Sequence, residues 1–226
     1  MRYRGETASR LDNLTDAVFG IAITLLIFNL TNPNSFQDLL TFTKTLPAFL
    51  MSISFIILIW KEHLRFSEIY RLEDSLLTIL NTVFIALVIF YVYPLRFLTL
   101  FLTNFFFYTE IAVNIPGDKV PYLMIYYGFV AFALYFVLYL FYHRALRLKT
   151  ELNLNSYEEF YTKSMKSRML IMFMVPLLSI LLTLVINEFS FIWASVVGGM
   201  TYFLYTPFIF LWYSRFNNKS KEFEDE

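Results

Sequence analysis

The 226-residue sequence contains no cysteine. This absence excludes a disulfide framework, a cysteine-based metal site and a cysteine nucleophile. Charged residues are scarce as well: they make up 16% of the chain, whereas about a quarter is usual in soluble domains. The 18 basic residues balance the 18 acidic ones, and no basic block stands out. Nucleic acid is therefore not expected as a partner.

Signatures of catalysis and of export are missing too. The sequence has no H-E-x-x-H string, no G-x-S-x-G string and no pair of carboxylates within an apolar segment, so we expect neither an enzyme nor a cofactor. Arg2 and Arg4 precede an apolar run, but Asp16 interrupts the start of that run and no small-residue cleavage pattern follows. We expect this first apolar helix to be retained as a membrane span.

Apolar residues are abundant and come in blocks. They make up 58% of the chain, with 20% aromatic, and six windows are free of charged residues: 17–37, 45–60, 75–95, 120–143, 169–187 and 189–214. Most of these windows reach or approach the ~20 residues that a helix needs to cross a bilayer. The sequence predicts an all-α integral membrane protein formed by one domain, 1–226, with spans near 13–30, 44–63, 74–98, 120–142, 167–187 and 189–213.

The basic residues predict the orientation. With six spans, all of the 18 Lys and Arg except Lys44, Arg96 and Lys119 lie on the side that holds both termini. Because basic loops stay in the cytoplasm, both termini are expected there, in a multi-pass protein of the plasma membrane. Residues 214–226 are then a short, charged cytoplasmic tail.

The first apolar segment, RLDNLTDAVFGIAITLLIFNL, carries a distinct stripe. At alternating spacings of three and four, a helix places on one side the residues Leu14, Ala17, Ile21, Thr24 and Phe28. The stripe either packs against other helices or lines a narrow path. A Thr in a membrane helix commonly bonds to a carbonyl of the preceding turn, which fits plain packing.

Local signals mark the ends of several later helices. The third span is expected to reach Pro94, with an aromatic-rich outer segment following it. Ser156 and Glu159 have capping-box spacing, which predicts a short interfacial helix before the fifth span. Gly198 and Gly199 permit a close approach or a bend in the sixth span.

Several strings together resemble one family, the transmembrane protein 175 potassium channels. RLDNLTD followed by AVFGIAITLL is similar to the family's Arg-x-x-x-Phe-Ser-Asp signature on the first helix. The string WKEH, with Asp74 and then Asn81 in the next helix, resembles its second and third helices. Leu14 stands where Phe is usual in the signature, and Thr15 stands where Ser is usual.

The resemblance implies a potassium-selective cation channel assembled as a homotetramer in the lipid bilayer. It implies that the first helices line a central pore, with an apolar constriction at Ile21 and Phe28, a selectivity layer at Thr24, and K⁺ passing near Thr24 and Ile21. The sequence contains no TVGYG filter string. A layer of hydroxyls without fixed charge predicts moderate preference for K⁺ over Na⁺.

Polar residues near the expected cytoplasmic ends of the first three spans suggest a buried network that fixes the first helix. Its predicted members, beside the motif residue Leu14, are Arg10, Thr15, Asp16, Trp60, His63 and Asn81. Asp16 can instead cap its own helix, and His63 can act as a pH sensor or a metal ligand. Without a second ligand nearby, no structural metal is expected.

Two other functions stay open at this point. A cation- or proton-coupled secondary transporter would show inverted repeats and broken helices; Gly198 and Gly199 offer one break, but nothing matches it in the first three helices. An accessory membrane subunit would show no flux by itself. Saturable, gradient-coupled uptake would indicate a transporter, and ohmic current a channel.

Overall fold

The structure is a computed structural model that describes residues 3–4, 9–28, 34–72, 74–107 and 115–223. Every regular element in these ranges is helical, as the sequence predicts. The eight α-helices are α1 (Arg10–Phe28), α2 (Phe36–Lys44), α3 (Leu46–Tyr70), α4 (Ser75–Phe107), α5 (Val120–Arg147), α6 (Ser156–Asn187), α7 (Phe191–Met200) and α8 (Tyr205–Glu222). Two short 3₁₀ turns, Gly117–Lys119 and Thr201–Leu204, lead into α5 and α8.

Five helical segments are long and apolar enough to cross a membrane. They are Leu46–Tyr70, Ser75–Asn104, Gly117–Arg147, Ser156–Asn187 and Phe191–Glu222. The chain is therefore a multi-pass membrane protein by length and composition. Helix α1 has 19 described residues and is not among the five; the predicted end of its span, residues 29–30, lies outside the described residues.

Two compact units divide the chain. The first, Gly5–Asn114, contains α1 to α4, and the second, Ile115–Glu226 together with Met1–Arg4, contains α5 to α8. In the first unit, α1 packs against both α3 and α4. Its core includes the ring pair Phe19 and Phe84, whose centroids are 6.1 Å apart. In the second unit, α6 packs against α5, α7 and α8.

The helices of the first unit run further than the sequence predicts. Helix α3 continues to Tyr70, so that the turn before α4 is short and begins at Arg71, in the left-handed conformation at φ 45°. Helix α4 passes through Pro94 and ends at Phe107, so that residues 95–103 are helical and not a separate outer segment. Proline removes one N–H and does not by itself end a helix whose neighbours satisfy the freed carbonyl.

A short helix also occupies the first outer loop. Helix α2 begins after Ser35, whose side chain accepts a hydrogen bond from the Asp38 N–H at 3.1 Å. The Ser35 side chain and the Asn34 backbone N–H hold the pKa of the Asp38 carboxyl below its ordinary value. Such a cap stabilises a short helix that lies within a loop and has no buried residue of its own.

Helix α6 begins with a capping box one residue earlier than predicted. The Asn155 side chain accepts from the Glu158 N–H at 2.8 Å, and Glu158 Oε2 accepts from the Asn155 N–H at 3.3 Å. The prediction of Ser156 and Glu159 for this role is wrong. No separate interfacial helix precedes the span in this described part of the chain, because α6 is continuous from Ser156 to Asn187.

The last span is interrupted near the glycine pair. A 3₁₀ turn at Thr201–Leu204 joins α7 to α8, and α8 then continues to Glu222. Gly198 lies against Thr183 of α6, and a Cβ atom at that position would collide with the Thr183 hydroxyl. Ser179 of α6 donates to the Gly198 carbonyl at 2.8 Å. The small residue therefore allows α6 and α7 to approach closely.

Candidate functional site: the first helix and its polar supports

Helix α1 has one face that the rest of its unit leaves open. Leu14 is 53% exposed and Ile21 is 55% exposed, and Ala17, Gly20 and Thr24 are exposed as well. Phe28 belongs to the same stripe, but its side chain lies outside the described residues. Among the described residues, the stripe members Leu14, Ala17, Ile21 and Thr24 are therefore exposed in the single chain.

The opposite face of α1 is buried. Val18, Phe19, Ala22 and Leu26 lie in the core of the unit, and Thr15 is completely buried. Helices α3 and α4 both pack on α1. Side chains three and four residues apart share a helix face. The buried set therefore lies on one face of α1, and the stripe that includes Ile21 lies on the opposite face.

The Thr24 hydroxyl lies on the open face and donates to the Gly20 carbonyl of the preceding turn at 2.8 Å. A hydroxyl has one hydrogen and two acceptor lone pairs. The bond to Gly20 uses the hydrogen, which leaves the Oγ1 lone pairs available to a ligand that carries positive charge.

A buried chain of polar groups joins α1, α4 and α3. The Asn81 Nδ2 group donates to Thr15 Oγ1 at 2.8 Å, and Thr15 in turn donates to the Leu11 carbonyl at 2.9 Å. On its other side, Asn81 Oδ1 lies 2.8 Å from His63 Nε2, which places the ring hydrogen on that nitrogen. Because Asn81, His63 and Thr15 are all buried, these bonds specify how the three helices fit together.

The His63 ring also has an apolar contact. It stacks on Phe84 with the centroids 5.2 Å apart and an interplanar angle of 15°. Among the described residues no group of three or more His, Asp or Glu side chains could hold a metal ion. In this structure His63 is a buried residue that shares a hydrogen bond with Asn81 and stacks on Phe84.

A second link ties the start of α1 to α3. Trp60 Nε1 donates to Asp16 Oδ1 at 2.7 Å. Asp16 itself is exposed and Trp60 is partly exposed. The predicted partners Trp60 and Asp16 thus meet. By contrast, Arg10 is exposed and forms no hydrogen bond or ion pair with the other predicted members in the part of the chain that the structure describes, so its role in the network stays a prediction.

Three contacts that support α1 were not predicted. Asp12 accepts from the Ser67 hydroxyl of α3, and Ser9 and Asp12 form a reciprocal cap, with Asp12 Oδ2 accepting from Ser9 N at 3.0 Å and Ser9 Oγ accepting from Asp12 N at 3.1 Å. The S-x-x-D spacing of Ser9 and Asp12 is typical of a capping box and could have predicted this cap. At the other end of the helix, Arg96 Nη1 of α4 donates to the Leu26 carbonyl at 3.2 Å.

These features define a class: an all-helical, multi-pass membrane protein whose first helix is held on one side and open on the other. The family described as "Endosomal/lysosomal potassium channel TMEM175" matches residues 10–91, a range that includes α1 and its polar partners Trp60, His63 and Asn81. A protein of Marivirga tractuosa named "Potassium channel" is 37% identical over 225 residues, which cover 96% of this chain and 90% of that protein.

Solved structures agree with this match. A crystal structure of a variant of the potassium channel MtTMEM175, in complex with a nanobody–MBP fusion protein, is 35% identical with a TM-score of 0.87, covering 96% of this chain and 97% of that one. A lysosomal potassium-selective channel TMEM175 homolog from Chamaesiphon minutus shares the fold at 18% identity and a TM-score of 0.55, covering 93% and 96% of the two chains. The protein belongs to the TMEM175 family of potassium channels.

Proposed function

We propose that the protein is a potassium-selective channel in which the open face of α1 lines the ion path. The observation that carries this proposal is the exposure of Leu14, Ala17, Ile21 and Thr24 on a helix whose other face is fixed by buried bonds. Four copies of the chain around an axis would cover this face, and α1 would be the first of six spans in each subunit. The family relatives that are named potassium channels support this choice of function.

Ile21 forms the constriction in this proposal. Four isoleucine side chains around one axis leave a narrow, dry neck, which an ion crosses only if water enters with it. The 55% exposure of Ile21 in the single subunit is area that such an assembly would cover. Phe28 lies two turns further along the same stripe and forms the second apolar level.

Thr24 forms the layer that selects K⁺ over Na⁺. It lies one turn from Ile21 on the open face, and its hydroxyl oxygen keeps lone pairs for a cation because its hydrogen is bonded to Gly20. The sequence has no TVGYG string, so the proposed selectivity does not use a carbonyl filter built from that string. A ring of neutral hydroxyls predicts moderate selectivity.

The polar links at Thr15, Asp16, Trp60, His63 and Asn81 fix the position of α1 and do not touch the ion. Asn81 and His63 lie on the buried side of the helix, opposite to Ile21. We place both termini in the cytoplasm because the basic residues concentrate on the terminal side of the chain. The plasma membrane is the proposed location.

Flux from liposomes tests the proposal. Purified wild-type protein is compared with Ile21→Asn, which wets the neck, and with the control Leu58→Asn, which makes the same change at an α3 side chain that is 57% exposed. We expect wild-type flux to favour K⁺ over Na⁺, and Ile21→Asn alone to raise the flux. If neither variant nor wild type passes ions under a driving voltage, the channel assignment is wrong; saturable uptake coupled to a proton gradient would indicate a transporter.

A further inference from the structure

Helix α2, which has no role in the proposed ion path, presents an exposed apolar face. At spacings of three and four residues, Phe36, Leu39 and Leu40 share one side of the helix with Thr43. The three apolar side chains are 74%, 46% and 43% exposed, and none of the nine described residues of α2 is buried. Large apolar side chains exposed together on one face indicate a surface that contacts a partner or a membrane.

The opposite side of α2 is polar. Gln37, Thr41 and Lys44 follow one another at spacings of four and three residues, so they share the side of the helix that faces away from Phe36 and Leu40. Helix α2 is therefore amphipathic, with one apolar and one polar face. Such a helix is suited to lie along a boundary between an apolar medium and water.

The hydroxyl on the apolar face is satisfied within the helix. Thr43 Oγ1 donates to the Leu39 carbonyl of the preceding turn at 2.8 Å. A polar group that is already hydrogen-bonded costs little when it leaves water, whereas one without a partner costs much more. The face formed by Phe36, Leu39, Leu40 and Thr43 can therefore enter an apolar medium without leaving that hydroxyl hydrogen unpaired.

The length of the next span indicates which medium α2 meets. Only Thr45 separates α2 from the membrane-spanning helix α3, and the charge-free run of that span, 45–60, ends at Lys61. This run extends about 24 Å, which is less than the ~30 Å hydrocarbon core of a bilayer. With Lys61 at one boundary of the core, α3 begins inside the opposite boundary, so α2 starts from the depth of the acyl chains. Leu46 and Leu50, the first large apolar side chains of α3 after α2, are exposed as well.

We infer that α2 is an interfacial anchor, which lies along the surface of the leaflet at which α3 begins. Phe36, Leu39 and Leu40 insert among the acyl chains, and Gln37 and Thr41 face the headgroups and water. Amphipathic helices of this kind bury their apolar face about 5–10 Å into the boundary between headgroups and acyl chains, which agrees with the part of the core that α3 leaves unspanned. Lipid is the occupant, and not a second copy of the chain, because the short apolar run of α3 already sets α2 at that depth. Under the proposed orientation, this is the outer leaflet.

Spin labels on single cysteines test where each face of α2 lies. The natural chain has no cysteine, so Leu39→Cys and Leu40→Cys each carry one nitroxide on the apolar face. Gln37→Cys and Thr41→Cys are the matched controls on the polar face of the same helix. The labelled full-length proteins are reconstituted in phosphatidylcholine liposomes. Electron paramagnetic resonance then measures collision of each label with oxygen, which concentrates among acyl chains, and with neutral nickel(II) ethylenediaminediacetate, which stays in water.

The two faces are expected to differ in opposite directions for the two reagents. Because polar solutes are excluded from acyl chains, the nickel collision rate at residues 39 and 40 should be at least about fivefold below that at residues 37 and 41. Oxygen collision should be higher at residues 39 and 40 than at the two controls. All four side chains are exposed, so the labels do not require the core of the protein to repack.

Two results would overturn the inference. Equal nickel collision at all four positions would show that α2 stands in water on both faces. Low collision with both reagents at residues 39 and 40, together with spectral broadening that disappears when labelled protein is diluted with unlabelled protein, would show that a second copy of the chain covers the apolar face.

Discussion

Replacing Asn81 by Leu is expected to destabilise the fold because it removes the centre of a buried polar chain. Asn81 is 2% exposed and makes one hydrogen bond to Thr15 and one to His63, both at 2.8 Å. Without it, the His63 Nε2 hydrogen has no acceptor in that direction. Thr15 loses a donor but still donates to the Leu11 carbonyl.

The size of the destabilisation follows from the loss of the two hydrogen bonds, to Thr15 and to His63. A hydrogen bond between membrane helices contributes only about 0.6 kcal/mol on average, whereas a buried donor left without a partner costs about 1–3 kcal/mol. We therefore expect Asn81→Leu to lower the free energy of unfolding by about 1–3 kcal/mol. Thr82→Leu is the matched control, because the adjacent Thr82 is exposed on α4 and its change should stay within about 0.5 kcal/mol.

A double-mutant cycle with His63→Leu tests the reasoning directly. The second substitution removes the ring N–H that has lost its Asn81 acceptor, so the double variant should be more stable than the sum of the two single changes predicts, by about 1–2 kcal/mol. Unfolding in mixed detergent micelles, followed by tryptophan fluorescence, measures all four proteins. If the two changes add to within about 0.5 kcal/mol, His63 and Asn81 are not coupled and the network has no energetic role.

Three further predictions concern Thr24, the bond from Arg96 to α1, and the buried ion pair. Thr24→Ala should reduce the K⁺ over Na⁺ permeability ratio while leaving assembly intact, which reversal potentials and gel filtration measure; an unchanged ratio would remove Thr24 from the selectivity layer. Arg96→Met removes the donor to the Leu26 carbonyl and should lower the free energy of unfolding by about 1–2 kcal/mol. Lys119→Met, which replaces an exposed cation, is the control and should leave that free energy nearly unchanged. Arg4→Gln removes the ion pair of the 1%-exposed Glu158 carboxylate and should lower the free energy of unfolding toward the lower end of ~3–5 kcal/mol. Adding Glu158→Gln should restore part of that loss, and a double variant no more stable than Arg4→Gln would contradict this prediction.

The positions of the helices could be predicted where the sequence has a long, uninterrupted apolar run. Charge-free windows located the helices that became α1, α3, α4, α5, α6 and the last interrupted segment, because a backbone in hydrocarbon must satisfy its own hydrogen bonds. Their ends were less predictable. Pro94 is a local breaking signal, yet α4 continues past it, since tertiary packing outweighs one lost bond.

Some local signals in the sequence did not determine where a helix begins. Asn155 with Glu158 and Ser156 with Glu159 both have capping-box spacing within the string NSYEE, and only the helix start distinguishes them. The short helix α2 is nearly all exposed, so no burial pattern marked it. Its cap at Ser35 and Asp38 was the available sign.

Contacts between residues that are far apart in the chain hold α1 in place, and no local sequence pattern marks them. Asp12 meets Ser67, and Arg96 meets the Leu26 carbonyl; these partners are far apart in the chain. Residue type alone predicted that Thr15, Asp16, Trp60, His63 and Asn81 would be held near one level. The structure supplies their actual pairing, and it leaves Arg10 apart from them.

Cysteine accessibility tests most directly whether the open face of α1 lines the ion path. The natural chain has no cysteine, so a single Ile21→Cys substitution introduces one unambiguous target, and Leu58→Cys on the exposed side of α3 serves as the control. With the protein in planar bilayers, we expect a charged methanethiosulfonate reagent to block the current of Ile21→Cys and to leave wild type and Leu58→Cys unchanged. A current through Ile21→Cys that persists after complete labelling would show that the path runs elsewhere.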